Sequence, residues 1–220
     1  MSILVIGANG GVGRHLVNQL QEAGQKFTAG VRKEEQVKDL ENRGIDTLLI
    51  DVANDSIDEL SDKLKGFEQV VFSVGSGGST GADQTIIVDL DGAVKTIDAS
   101  ENAGVNHFVM VSTFDSRREA FDTPDAQKIK PYTIAKHHAD EHLKRSSLTY
   151  SIVHPGRLTN EPGTKQVELG LYFDKIGDVP REDIASVIYE LLDNEDHRGK
   201  EVQVISGNED IKSALKNFKA

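Results

Sequence analysis

Ile3-Leu4-Val5-Ile6 runs directly into Gly7-Ala8-Asn9-Gly10-Gly11-Val12-Gly13, after which Val12, Leu16 and Leu20 recur at helical spacing. The stretch predicts a buried strand, a glycine loop and an amphipathic helix at the start of the chain. The loop reads Gly-x-x-Gly-x-x-Gly, one residue longer than the G-x-G-x-x-G fingerprint, but its mechanics are the same. Glycine permits a tight turn, brings backbone N–H groups near a pyrophosphate, and lets helix and strand pack closely with the positive helix end facing the anion. Gly7, Asn9, Gly10, Gly11, Val12 and Gly13 are therefore candidate contacts for a dinucleotide. A glycine motif alone is weak evidence, and its position between strand and helix gives it weight.

Outward from this loop the same alternation repeats. Apolar runs at 3–6, 27–31, 47–50, 70–74, 108–111, 150–153 and 202–205 read as strands, and most are continuous rather than alternating, as in parallel strands covered on both faces. Between them lie helical spacings, such as Ile57-Leu60-Leu64, Ile86-Leu90-Val94-Ile97 and Ile184-Val187-Ile188-Leu191. Strand and helix alternate from end to end, which predicts one doubly wound α/β domain over 1–220 with a mainly parallel sheet. Two segments, 114–130 and 155–178, read as long connections leaving the carboxyl ends of strands. In an open α/β sheet that is where ligands bind, so both are expected to wall a small-molecule substrate pocket.

Composition narrows the functional classes. The 220 residues carry 36 acidic against 25 basic side chains, a net charge of −11, which argues against a nucleic-acid or anionic-membrane surface. The absence of cysteine excludes disulfides and thiolate chemistry. Neither a secretory signal nor a membrane-length apolar run is visible, so a cytoplasmic protein is expected, as a monomer or homodimer.

The second strand ends Gly30-Val31-Arg32-Lys33, where a protein selecting NAD usually places an acid about 20 residues past the loop. Arg32 instead suits a 2′-phosphate, which it can grip with charge-assisted bonds, so NADP is expected in preference to NAD. Asp51-Val52 after the third strand, and Ser73 and Gly75 after the fourth, fall where the cleft would be lined. Asp51 is placed to accept from an adenine amino group or to cap the next helix. Further on, Pro131 opens a helix on which Tyr132 and Lys136, four apart, share a face. An ammonium beside a phenol lowers the phenol pKa, which makes Tyr132 a candidate proton donor. Ser112-Thr113, at the end of the fifth strand, offers a hydroxyl to a developing oxyanion. His137, His138 and His142 are read as a polar helix face, with no metal site expected.

Taken together, Gly7-x-x-Gly10-x-x-Gly13, Asp51-Val52, Asp89-x-x-Gly92, Gly104-Val105, the strand ending at Ser112, Tyr132-x-x-x-Lys136 and Pro155-Gly156 resemble the short-chain dehydrogenase/reductase superfamily. The likeness is to its atypical NAD(P)-binding branch, epimerase/dehydratase-like and sugar-epimerase-like. The resemblance implies a Rossmann sheet of about seven parallel strands. It also implies Tyr132 as acid or base, Lys136 on the nicotinamide ribose, and Ser112 or Thr113 on the substrate oxygen. His154 and Pro155 are implied near the cofactor, with His154 standing where relatives commonly have Arg. The expected activity is NADP-dependent oxidoreductase or epimerase-like chemistry on a small carbonyl or hydroxyl substrate. A non-catalytic NADP-binding redox sensor and a flavin or quinone reductase remain the alternatives.

Overall fold

The structure is a computed structural model that describes residues 2–78, 80–123 and 127–219. Its strands are β1 (Ile3–Ile6), β2 (Phe27–Val31), β3 (Thr47–Leu49), β4 (Gln69–Phe72), β5 (His107–Val111), β6 (Thr149–Pro155), β7 (Arg157–Thr159), β8 (Gln166–Gly170), β9 (Asp178–Pro180), β10 (Lys200–Ser206) and β11 (Glu209–Asp210). The helices of seven residues or more with α pitch are α1 (Gly11–Glu22), α2 (Glu34–Glu41), α3 (Ile57–Leu64), α4 (Gly92–Ala103), α5 (Lys130–Arg145), α6 (Arg181–Asp193) and α7 (Ile211–Asn217).

Among the described residues the main sheet has nine strands, in the order β11-β8-β10-β6-β5-β4-β1-β2-β3. The seven running from β10 to β3 are mutually parallel and correspond to the seven apolar runs. The extra two come from outside those runs: β8 pairs antiparallel with β10 and with β11. The segment 155–178 is thus not one long connection. It holds β7, β8 and the start of β9, and β7 and β9 form a separate parallel pair. These strands are short and lie at or beyond the sheet's edge, so they lack the continuous apolar run that marks a strand covered on both faces.

Along β1 the side chains alternate between two cores. Ile3 and Val5 join the layer beneath α1 and α6, whereas Leu4 and Ile6 join the layer beneath α3, α4 and α5. The same alternation separates Val71 from Val70 and Phe72, and Val109 from Phe108 and Met110. Helices cover both faces, which is why these strands read as unbroken apolar runs. Gly7 and Gly13 are required by the tight join between β1 and α1. Gly7 has φ of 85°, and a Cβ on Gly13 would overlap the Gly7 carbonyl oxygen.

The helical spacing from Ile86 to Ile97 conceals a change of pitch. Residues Thr85–Asp91 form a π-helical turn that passes into α4 at Gly92. Such turns recur at functional sites, and this one delivers Asp89 into the space below the sheet's carboxyl edge.

Candidate active site

The carboxyl ends of β1, β2 and β4 open into a cleft of about 520 Å³. Gly7, Asn9, Gly10 and Gly11 form its floor, Arg32 and Asp51-Val52 one wall, and Ser73 and Gly75 the other. The loop is held rigidly: the Gly7 and Ala8 amides donate to the Gly30 carbonyl (3.1 and 3.2 Å), and the Gly10 amide donates to that of Gly7 (2.8 Å). No side chain caps α1 at Gly10 and no acid stands in its first turn. Neither a capping side chain nor a first-turn acid therefore offsets the positive helix end.

Arg32 is exposed at the rim and forms no ion pair among the described residues. Asp51 is more occupied than expected. Its carboxylate accepts from the Ala53 amide (3.1 Å) and the Asn54 side chain (2.8 Å), closing a turn. It does not cap α3. That role falls to Ser56, which accepts from the Glu59 amide while Glu59 reaches back to the Ser56 amide.

Sharing Gly11, Ser73, Gly75 and Thr80, a second space of about 670 Å³ continues the cleft beneath α5. Val12, Ser112, Tyr132, Lys136, Leu158 and Arg181 all line it. Pro131 stands in the first turn of α5, where its missing N–H costs nothing, and the adjoining Tyr132 and, one turn beyond it, Lys136 face the cavity together. Lys136 is only 2% exposed. Its Nζ reaches the carbonyls of Val74 (3.4 Å) and Val111 (3.3 Å) and pairs with Asp89 at 3.5 Å. It lies 5.7 Å from the centre of the Tyr132 ring.

This pairing reverses one expectation. The Tyr132 phenol is pushed above its ordinary value, because burial outweighs the pull of Lys136 and the nearby Asp89 and Asp140 add to it. Of the two candidate hydroxyls, Ser112 lines the cavity and donates to Asp140 Oδ2 at 2.6 Å. Thr113 instead contributes its carbonyl to His154.

His154 leaves the expected cofactor set. Its side chain is buried with Nδ1 2.6 Å from the Thr113 carbonyl oxygen and Nε2 3.0 Å from Glu201. Two acceptors flank the ring, so only the imidazolium serves both. Burial alone would lower its pKa, but Glu201, the charge of Asp140 and the Thr113 carbonyl together raise it. Pro155 is buried in β6 opposite Val204. His154 faces a different space, of about 640 Å³, also lined by Phe114 to Glu119, His137, Lys144 and Tyr172. Of the segment 114–130, Lys128 and Ile129 reach the Tyr132 cavity, and 124–126 lie outside the described residues.

The clustered histidines diverge. His137 bonds the Ser116 carbonyl (2.9 Å) and packs edge-on to Phe121, His142 bonds Asp98 (2.6 Å), and His138 is exposed.

Sequence reasoning gave three side chains no role in the site, although Asp89 stood in the Asp89-x-x-Gly92 motif. Arg181, first residue of α6, lies over Gly11 so closely that a Cβ there would stand 2.7 Å from its Cδ and Nε. Its Nη1 donates to the Leu158 carbonyl (3.2 Å) and Asn160 Oδ1 (2.8 Å), tying the segment after β6 to the glycine loop. Asp89 and Asp140 were hidden for another reason. Each sits on an amphipathic helical stretch where an acid ordinarily faces solvent. Their signal is an acid on the apolar face: Asp89 stands four residues before the buried Ala93, and Asp140 three before the buried Leu143.

Comparison with known proteins adds an independent line. A family model described as NAD(P)H-binding matches residues 7–195. The uncharacterized sugar epimerase YhfK of Bacillus subtilis is 39% identical over 220 residues, covering 99% of this chain and 100% of that protein. A solved Bacillus halodurans structure, provisionally named an NAD-dependent epimerase/dehydratase, has a TM-score of 0.90 at 39% identity, covering 99% of this chain and 100% of that one. The oxidoreductase ylbE of Lactococcus lactis has a TM-score of 0.89 at 32% identity, over 99% of this chain and 96% of that one.

Proposed function

The chain belongs to the NAD(P)H-binding family, and from that premise we propose that it is an NADP-dependent oxidoreductase or epimerase-like enzyme that reduces a small carbonyl substrate. The observation that supports this reading is the continuity of the two spaces: the cavity holding Tyr132, Lys136 and Ser112 opens into the glycine-loop cleft. The cleft fits a dinucleotide, with an uncapped helix end at the pyrophosphate position and Arg32 at the rim. A reduced nicotinamide bound there supplies hydride to a carbonyl carbon.

The protein's own part is the proton. Tyr132, with its pKa raised, is a neutral phenol at pH 7 and so stands ready to donate. Hydride arrival turns a carbonyl oxygen into an alkoxide, a far stronger base than any phenolate, and proton transfer from Tyr132 is downhill. A phenol held protonated favours reduction over alcohol oxidation, which would need a phenolate base. Lys136 and Asp89 fix the floor of the cavity, and Arg181 holds Leu158 against the mouth of the glycine loop.

The test is loss of reduced-nicotinamide absorbance against a panel of aldehydes, ketones, quinones and free flavin. Turnover of aldehydes or ketones supports the reading. Turnover of quinones or flavin alone would replace it with a reductase in which Tyr132 has no part, and binding without turnover would leave a redox sensor.

Cofactor choice gives a separate prediction. NADPH should bind more tightly than NADH, and Arg32→Ala should weaken NADPH alone, by about 1.5–3 kcal/mol for each charge-assisted bond lost. Calorimetric titration of both dinucleotides measures this. Equal affinities in the unmutated protein would remove Arg32 from the site.

A further inference from the structure

We propose that the buried Ser112–Asp140 pair makes this cavity select α-hydroxy carbonyl compounds over simple ketones, aldehydes and quinones. The inference rests on the reductive reading above and adds the substrate class.

A serine hydroxyl has one proton and two lone pairs. At Ser112 that proton is committed to Asp140 Oδ2, at a distance of 2.6 Å that is typical of a hydroxyl bonded to a carboxylate. Asp140 is 1% exposed, and its charge helps to hold His154 protonated. A carboxylate has no proton to return, so Ser112 shows the cavity only its lone pairs. The other carboxylate oxygen, Oδ1, is buried without a partner among the described residues. Ser112 is therefore the one hydrogen bond that this carboxylate receives there, and the hydroxyl has strong reason not to rotate away.

Tyr132 has the opposite polarity, a protonated phenol that donates into the same cavity. Lys136 does not change the balance, being committed to two carbonyls and Asp89. Around Lys136 the cavity therefore sets one donor, Tyr132, against one acceptor, Ser112, within a lining that also carries Ser76, Thr80, Thr85, Lys128 and Arg181. A simple ketone or a quinone brings acceptors alone, and would leave the lone pairs of the buried Ser112 facing an acceptor. A hydroxyl on the carbon next to the carbonyl supplies the missing donor beside the acceptor and leaves the carbonyl reducible.

In the reaction the carbonyl carbon gains hydride from the dihydronicotinamide, and the carbonyl π pair takes the proton of Tyr132. The products are a vicinal diol and the oxidised nicotinamide, and the Tyr132 phenolate regains its proton from solvent. Ser112 and Asp140 exchange no proton. Ser112 orients the substrate hydroxyl, and Asp140 acts as a positioning residue through it.

The experiment compares matched pairs, hydroxyacetone against acetone and acetoin against butanone, with NADPH as reductant. For the unmutated protein we expect kcat/KM to favour the hydroxy ketone by about 10–100-fold, since sites built to bond a hydroxyl discriminate strongly against its absence. In Asp140→Asn the side-chain amide can donate to Ser112 Oγ and release the hydroxyl proton to the cavity. The preference should then collapse to within about threefold or invert, while NADPH affinity persists. Ser112→Ala should also collapse the ratio, and it decides the matter if Asp140→Asn does not fold. A merely structural Asp140 would lower both substrates equally and keep the ratio, which overturns the proposal. So does a ratio near one in the unmutated protein. Turnover of neither class with intact NADPH binding defeats the reductive reading itself, and this inference with it.

Discussion

Tyr132→Phe should cut turnover by roughly 10²–10⁴-fold, the usual contribution of a positioned general acid, and leave NADPH affinity nearly unchanged. The substitution removes only a hydroxyl from a ring that is already partly buried. Lys136→Ala should behave differently from a simple loss of activation. It strands Asp89, which is fully buried, with no cation beside it, so about 3–5 kcal/mol of stability should go along with turnover. Asp89→Asn combined with Lys136→Met removes both charges, and should recover much of that stability without recovering turnover. Single-turnover rates and urea titrations on the same preparations separate the two effects. If turnover on a carbonyl substrate survives Tyr132→Phe within about threefold, proton donation by Tyr132 is wrong, and direct hydride delivery to a flavin-like acceptor takes its place.

That experiment also tests a step at which reading residues in sequence went astray. The spacing of Tyr132 and Lys136 correctly places both at one cavity, because residues four apart on a helix share a face. Spacing does not report the third partner. Asp89 reaches the same lysine from a π-helical turn whose apolar residues look like an ordinary helix. With its charge balanced, the lysine no longer dominates the phenol, and burial decides the direction of the shift. Pairwise patterns along a helix are legible, whereas the balance among three buried charges depends on tertiary distances.

The fold was open to reading for a related reason. Strands covered on both faces need apolar residues at every position, and that signal survives without tertiary knowledge, so all seven parallel strands announce themselves. β8 and the edge strand β11 close the sheet in antiparallel pairing, with only alternate residues buried at best, and their sequence resembles a loop. His154 failed in the same manner. Its place before Pro155-Gly156 pointed to the cofactor, but alternation along β6 puts it on the same side as Ile152 and against Thr113 and Glu201.

The displaced histidine has its own large consequence, because Glu201 and His154 form a pair that titrates from both sides. The hydrogen bond from His154 holds the Glu201 carboxyl down at about 2 against an ordinary 4.5, with Lys144 assisting and burial opposing. A depressed carboxyl contributes its stability above pH 4.5 and loses it as pH falls towards about 2. The His154 pKa lies above its ordinary 6.5, so its contribution is complete below 6.5 and fades as pH rises through the raised value. The two windows overlap between 4.5 and 6.5, and the protein should be most stable there. Glu201→Gln removes the anion that favours the imidazolium, and its amide replaces a charge-assisted bond with a neutral one, accepting from the charged ring or donating to the neutral one. The cost should be about 1.5–3 kcal/mol in that window, the contribution of a hydrogen bond to a charged group. Urea denaturation across pH reads both effects. The substitution should lower the midpoint most near the maximum and flatten the acid limb, since no depressed carboxyl remains to titrate at that position. An unchanged midpoint in the overlap window would mean that His154 is neutral in the folded chain, with the Thr113 carbonyl as its sole acceptor.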